Sequence, residues 1–166
     1  MRNLFLIFSS VLLLASCKAQ TPLNFTVTYT QPYCGGAKPT PEIIEESSQP
    51  KPYANFKLFF VSKKGKIDSA ETDDKGILKI TLKNGTYKVM EGWRLKKGTP
   101  NGQPLSDYKL ECLKTQWGKE LQLISLVKGK VVTTKTTPQP LKIHLDLLCD
   151  YAVPCLEERH IPPMRE

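Results

Sequence analysis

Two histidines and five cysteines are the side chains of this 166-residue sequence best suited to chemistry. Four of them gather near the C-terminus: His144, Cys149, Cys155 and His160. Imidazoles and thiolates are the usual zinc ligands. The stretch LKIHLDLLC, however, alternates like a strand. Leu141, Ile143, Leu145, Leu147 and Cys149 fall on one face, and Lys142, His144 and Asp146 on the other. His144 and Cys149 therefore point apart, and neither a metal centre nor a cofactor is expected. Cys149 and Cys155 are not spaced as C-x-x-C and lie in no βαβ pattern, which argues against thiol–disulfide exchange. No serine sits in a Gly-x-Ser-x-Gly setting. Glu42, Glu45 and Glu46 read as the solvated face of a short helix, not as an acid/base pair. The chain is expected not to be an enzyme; the alternative is a hydrolase with an unrecognised site.

The amino terminus gives an address. Arg2 precedes an apolar run from Leu4 to Leu14, too short to span a bilayer. Leu14-Ala15-Ser16-Cys17 follows and resembles the lipobox of bacterial lipoproteins. That resemblance implies a signal peptide over residues 1–16, cleavage before Cys17, and diacylglycerol on the Cys17 thiol with acylation of the new amino terminus. Five cysteines leave one sulfur to explain in an exported protein. With Cys17 lipidated, Cys34, Cys112, Cys149 and Cys155 can pair in three ways. CDYAVPC can close on itself, which makes Cys149–Cys155 with Cys34–Cys112 the preferred partition. Spacing alone leaves the other two open.

These residues need a scaffold, and the hydropathy pattern supplies one. Residues 17–23 are polar and are expected to form a tether. FTVTYT then alternates as a half-buried strand. Thr40-Pro41 with Glu42 and Glu45 signals a short helix start. From residue 53, strand patterns follow closely: NFKLFFV, IDSAET, ILKITL and TYKVMEGW, separated by SKKGK, DDKG and KNG. Asn84-Gly85 is a strong hairpin signal. Leu110, Leu113 and Trp117 recur at helical spacing, with Ser106 as a candidate cap and Gly118 as a terminator, although Tyr108, Leu110 and Cys112 also fit a strand; helix is the preferred reading. LQLISLV and VVTTKTT read as a hairpin. The expectation is a single domain over 24–156, with a polar tail at 157–166. Its fold class is an antiparallel β-sandwich of about seven strands with one or two short helices.

The segment from Ala54 to Val89 resembles the carboxypeptidase regulatory-like, transthyretin-like (prealbumin-like) sandwich. The pattern is carried by Thr72, Asp73, Gly76, Leu78, Gly85, Tyr87 and Val89. The resemblance implies structural turn roles for Asp73, Gly76, Gly85 and Tyr87, and no catalytic residue. It covers under a quarter of the chain. The wider layout resembles small lipoproteins of Bacteroidetes-type bacteria. In that setting Asp68-Ser69-Ala70 resembles a short glycan-acceptor motif.

Binding remains the functional expectation. Core packing is the favoured reading of Tyr53, Trp93, Tyr108 and Trp117; the alternative is a sugar- or peptide-facing platform, for which Trp93 and Trp117 are the preferred pair. The chain carries 24 Lys and Arg against 16 Asp and Glu, a net charge of +8. Its lysines are scattered along strand-like stretches, so no nucleic-acid partner is expected. The expected partners are the membrane, through lipid on Cys17, and an envelope protein or glycan. No acidic run follows Cys17, which favours the periplasmic face of the outer membrane. The expected role is a non-catalytic binding or structural module of the envelope. A surface accessory protein for glycan or peptide capture is the alternative.

Overall fold

A computed structural model describes residues 20–132 and 141–157. The expected signal segment, Cys17 and His160 lie outside the described residues. Alternating apolar residues dominate the sequence, and strands dominate the structure. They run in the order β1 (Gln20–Thr30), β2 (Lys51–Pro52), β3 (Lys57–Ser62), β4 (Ile67–Glu71), β5 (Ile77–Lys83), β6 (Gly85–Glu91), β7 (Gln122–Val127), β8 (Lys130–Val132) and β9 (Leu141–Asp146). Three short α-helices interrupt them: α1 (Pro41–Ser48), α2 (Gly92–Leu95) and α3 (Leu110–Trp117). A 3-10 turn covers Leu105–Asp107. The described residues thus hold more strands and one more helix than expected, because β2 and α2 are too short to leave a periodic signature.

The strands form two sheets that face each other. One has the order β4-β3-β6-β7-β8 and is antiparallel throughout. The other is built around β1, which uses both edges. Gln20–Thr26 pair antiparallel with β5, and Thr28 and Tyr29 with β2. Along the opposite edge, Phe25–Thr30 run parallel to β9. The sandwich is antiparallel as expected except at this pair, since an alternating pattern fixes which face is buried but not strand direction. Pairing with β5 also begins at Gln20, and Thr21 and Leu23 are buried. Residues 20–23, expected in a tether, therefore belong to the sheet.

The core lies between the sheets. Phe25, Val27, Leu78 and Leu141 of one meet Leu58, Phe60, Val89 and Ile124 of the other, all fully buried. The Phe25 and Phe60 rings meet across the gap at 5.4 Å between centroids, tilted by 54°. Such a pair adds about 1 kcal/mol to the burial of its apolar area.

Two of the chain's crossings between the sheets, β4 to β5 and β5 to β6, use the residues of the Thr-Asp-x-x-Gly pattern or its sequel. Between β4 and β5, the buried Thr72 hydroxyl donates to Tyr53 O at 2.5 Å and accepts from Phe56 N at 2.8 Å. Asp73 Oδ1 accepts from Lys75 N and Ile77 N at 2.9 and 2.8 Å. Gly76 has φ +72° and lies against β1 where that strand passes from β5 to β2. Val27 N donates to Gly76 O, and Tyr53 N donates to Val27 O. The second crossing is Asn84-Gly85. The sequence expects a hairpin there, but β5 pairs with β1 while β6 pairs with β3 and β7. Asn84 bends the chain between β5 and β6, both of which bury an apolar face, and opposite sheets satisfy both. The Tyr87 hydroxyl donates to Lys83 O at 2.9 Å across this turn.

Candidate functional site

Beyond β6 the chain leaves the sheets and builds a second, smaller core. Tyr108, Leu113 and Leu156 are its buried centre, with Trp93, Trp117, Val153 and Cys155 packed around them. α3 contributes through its spacing. Leu113 is fully buried and Trp117 half-buried, while Leu110 remains exposed. Lys109, not Ser106, stands at the N-cap, and Gly118 closes the helix.

The segment after β9 runs across this cluster and is stapled at both ends. Cys149 is bonded to Cys34, in the loop after β1, and Cys155 to Cys112, on α3. The four cysteines thus pair, but in a different partition from the one expected. CDYAVPC does not close on itself; each of its cysteines reaches a different element. Local spacing favoured the short loop, while the topology, with β9 beside β1, brings Cys149 next to Cys34. Backbone bonds reinforce the seam: Lys109 N donates to Cys155 O and Glu157 N to Asp107 O, both at 2.8 Å.

Between this stapled segment and the α2 region lies a groove of about 340 Å³. Trp93, Arg94 and Asn101 line one side, and Asp146, Asp150 and Val153 the other. Arg94 is committed to structure. Its Nε donates to Glu91 Oε2 at 2.8 Å, with both side chains about 15% exposed. Its Nη1 donates to Gln116 O at 2.7 Å, tying α2 to α3. The guanidinium also stacks on the Trp93 ring, 4.3 Å from its centroid. Asn101 Oδ1 accepts a short hydrogen bond from the Tyr108 hydroxyl, while its buried Nδ2 has no partner among the described residues. Burial raises the Tyr108 pKa, a shift opposed by the Asn101 hydrogen bond and helped by Asp107 and Asp150.

The four aromatics proposed as a platform do not form one. Trp93 lines the groove from a one-turn helix instead of a strand end, with Arg94 over its ring. Trp117 anchors the small core and donates its indole N–H to Gly98 O at 2.7 Å. Tyr108 is buried. Tyr53 stacks on Phe56 at 4.1 Å against the main core. Sequence reasoning missed Arg94, Asn101 and Asp150 as groove residues, because only the disulfide-held return of residues 147–157 brings their loops together.

The remaining candidates lie apart. His144 sits on the outer face of β9, opposite in direction to the buried neighbours Ile143 and Leu145. Glu42, Glu45 and Glu46 are exposed on α1, where Glu46 pairs loosely with Lys51 at 3.5 Å. Ser69 is exposed on the edge strand β4. Among the described residues no group of three or more His, Cys, Asp or Glu is placed to hold a metal. No family model, curated protein or solved structure matches this chain.

Proposed function

We propose that this chain is an exported envelope protein, anchored by lipid on Cys17, that acts without catalysis as a binding or structural module and takes its ligand in the groove beside the stapled segment after β9. The observation that carries this reading is the pairing of Cys34 with Cys149 and Cys112 with Cys155. Paired cysteines fit an oxidising compartment. They also leave Cys17 as the odd sulfur, in the setting Leu-Ala-Ser-Cys. Two or three acyl chains there, at roughly 0.8 kcal/mol per buried CH2, give stable anchoring. The periplasmic face of the outer membrane is the favoured location.

The test is intact-mass measurement of membrane-fraction protein without reductant, alongside Cys17→Ser. The expected result is a chain beginning at residue 17, heavier by its acyl groups and free of reactive thiols, with Cys17→Ser shifted to the soluble fraction. An unmodified Met1, or free thiols at the four other cysteines, would overturn the reading. The mixed lining of the groove, an indole and a guanidinium beside two amides and three carboxylates, favours a glycan or peptide as ligand. Shaving whole cells with protease separates a surface accessory role, in which the protein is cut, from a periplasmic one, in which it is shielded.

A further inference from the structure

Lysines that are scattered along the sequence come together in the fold. β6 begins beside the ends of β3 and β7: Ser62 pairs with Tyr87, and Gly85 with Leu126. β5 ends beside the start of β1, where Gln20 pairs with Lys83. The turns β3–β4, β5–β6 and β7–β8 therefore share one end of the sandwich with the start of β1. Direct contacts join them. Lys63 N donates to Thr86 O at 3.3 Å, and Gly129 N donates to Asn84 Oδ1 at 3.1 Å. Lys63, Lys64, Lys66, Lys83, Lys128 and Lys130 lie on these turns, all exposed. Residues 62–68, 83–86 and 127–130 hold one carboxylate, Asp68, which pairs with Lys66 at 2.8 Å. Among the described residues the other lysines of this end have no carboxylate partner. At the opposite end cations meet acids: Lys51 pairs with Glu46, Arg94 with Glu91 and Lys114 with Glu111. Ile67 and Val127, each about half exposed, add apolar surface to the basic end.

We propose, on the reading of Cys17 as the lipid anchor, that this basic end is a docking surface for anionic phospholipid head groups and faces the bilayer. Cys17 stands three residues before Gln20, a span of at most about 11 Å. An acyl anchor there holds the start of β1, and with it the lysine end, close to the head groups. That span is comparable to the Debye length of about 8 Å at physiological ionic strength, so the surface charge is felt across it. Each lysine held against an anionic surface strengthens attachment by roughly fivefold. Acyl chains fix how far the body can stray from the membrane but not how it is turned; the unpaired lysines supply the orientation. The groove, bordered by Glu91 at the end of β6 and by residues after β9, lies at the other end and is thereby turned away from the bilayer. A nucleic acid also offers phosphates, but the anchor brings lipid phosphates within reach.

The test is lysine footprinting of the full chain on vesicles, by acetylation with a water-soluble reagent and mass mapping. Vesicles of phosphatidylcholine alone are compared with an equal mixture of phosphatidylcholine and phosphatidylglycerol. Lys63, Lys64, Lys83, Lys128 and Lys130 should be labelled at least about threefold more slowly on the anionic vesicles, and high salt should remove the difference. Lys51, Lys97 and Lys114, at the far end, should be labelled equally on both. Lys64→Glu with Lys130→Glu should abolish the protection of Lys63, Lys83 and Lys128 while both disulfides stay intact. Equal labelling of the wild-type chain on the two vesicle types overturns the docking surface and leaves the acyl anchor standing. Stronger protection by a DNA duplex than by the anionic vesicles, at equal phosphate, also overturns it. An unmodified Cys17 in the same spectra overturns the anchor, and with it the membrane-facing assignment of this end.

Discussion

At Gly76 a side chain has nowhere to go. A Cβ there would lie 2.4 Å from Val27 O, and the residue's φ is +72°. The left-handed conformation alone costs an L-residue about 1–2 kcal/mol. Clearing the carbonyl would also break the Val27–Gly76 and Tyr53–Val27 hydrogen bonds that pass β1 from β5 to β2. Gly76→Ala is expected to destabilise the protein by about 3 kcal/mol or more, read as a lower urea midpoint. A change under about 1 kcal/mol would mean that this edge is not packed as described. Asp73 and Gly76 could be picked out from the sequence because they turn the backbone within a few residues, whereas the bonds of Thr72 to Tyr53 and Phe56 reach across 19 and 16 positions. Trp93 and Trp117 could not be judged that way, since their exposure depends on residues 147–157 folding back over them. Tyr108 gives a prediction of its own. Burial holds its pKa above the ordinary value, as it does for Tyr53. The neutral phenol is the form the fold accepts, so its stabilisation is complete below about pH 10, the unfolded value. It is lost as pH rises through the raised folded value. Thermal unfolding midpoints should therefore fall above about pH 10, and Tyr108→Phe should flatten part of that fall. An identical fall in both proteins would remove Tyr108 from the account.

The two disulfides act on elements. Cys34–Cys149 joins the loop after β1 to the segment after β9, across 115 positions of sequence. Cys112–Cys155 joins α3 to the same segment across 43. By loop-closure entropy the longer link contributes up to about 5 kcal/mol and the shorter about 4. Cys34→Ser with Cys149→Ser should thus lower the denaturant midpoint somewhat more than Cys112→Ser with Cys155→Ser. The second pair should have the larger effect on the groove, because it frees Val153 and the small core together; increased hydrogen exchange over residues 108–118 would report it. Equal protection of α3 in both variants would contradict this assignment. Element positions were largely legible in the alternation of β3, β5 and β7 and in the helical spacing of α3. Their partners were not. Asn84-Gly85 gave the turn but not the change of sheet, and CDYAVPC gave two cysteines but not their mates, because pairing is decided by contacts far apart in sequence.

For the whole molecule, the pairing of β9 with β1 is the contact that completes the sheet built around β1. Thr28 and His144, neighbours across it, are 116 positions apart in the chain. Without β9, one edge of β1 would be open and Leu141, Ile143 and Leu145 would be missing from the core. A chain ending at residue 140 would also lack both cysteines that staple the groove. It should stay sensitive to protease under conditions in which the full chain resists; equal resistance would show that the sandwich closes without its last strand. Contacts of such separation form slowly, since a long loop must be closed before they stabilise anything. Synthesis therefore delivers the keystone late. Until residues 141–146 have been made, β1 can form its pairs with β2 and β5 but waits with its other edge open.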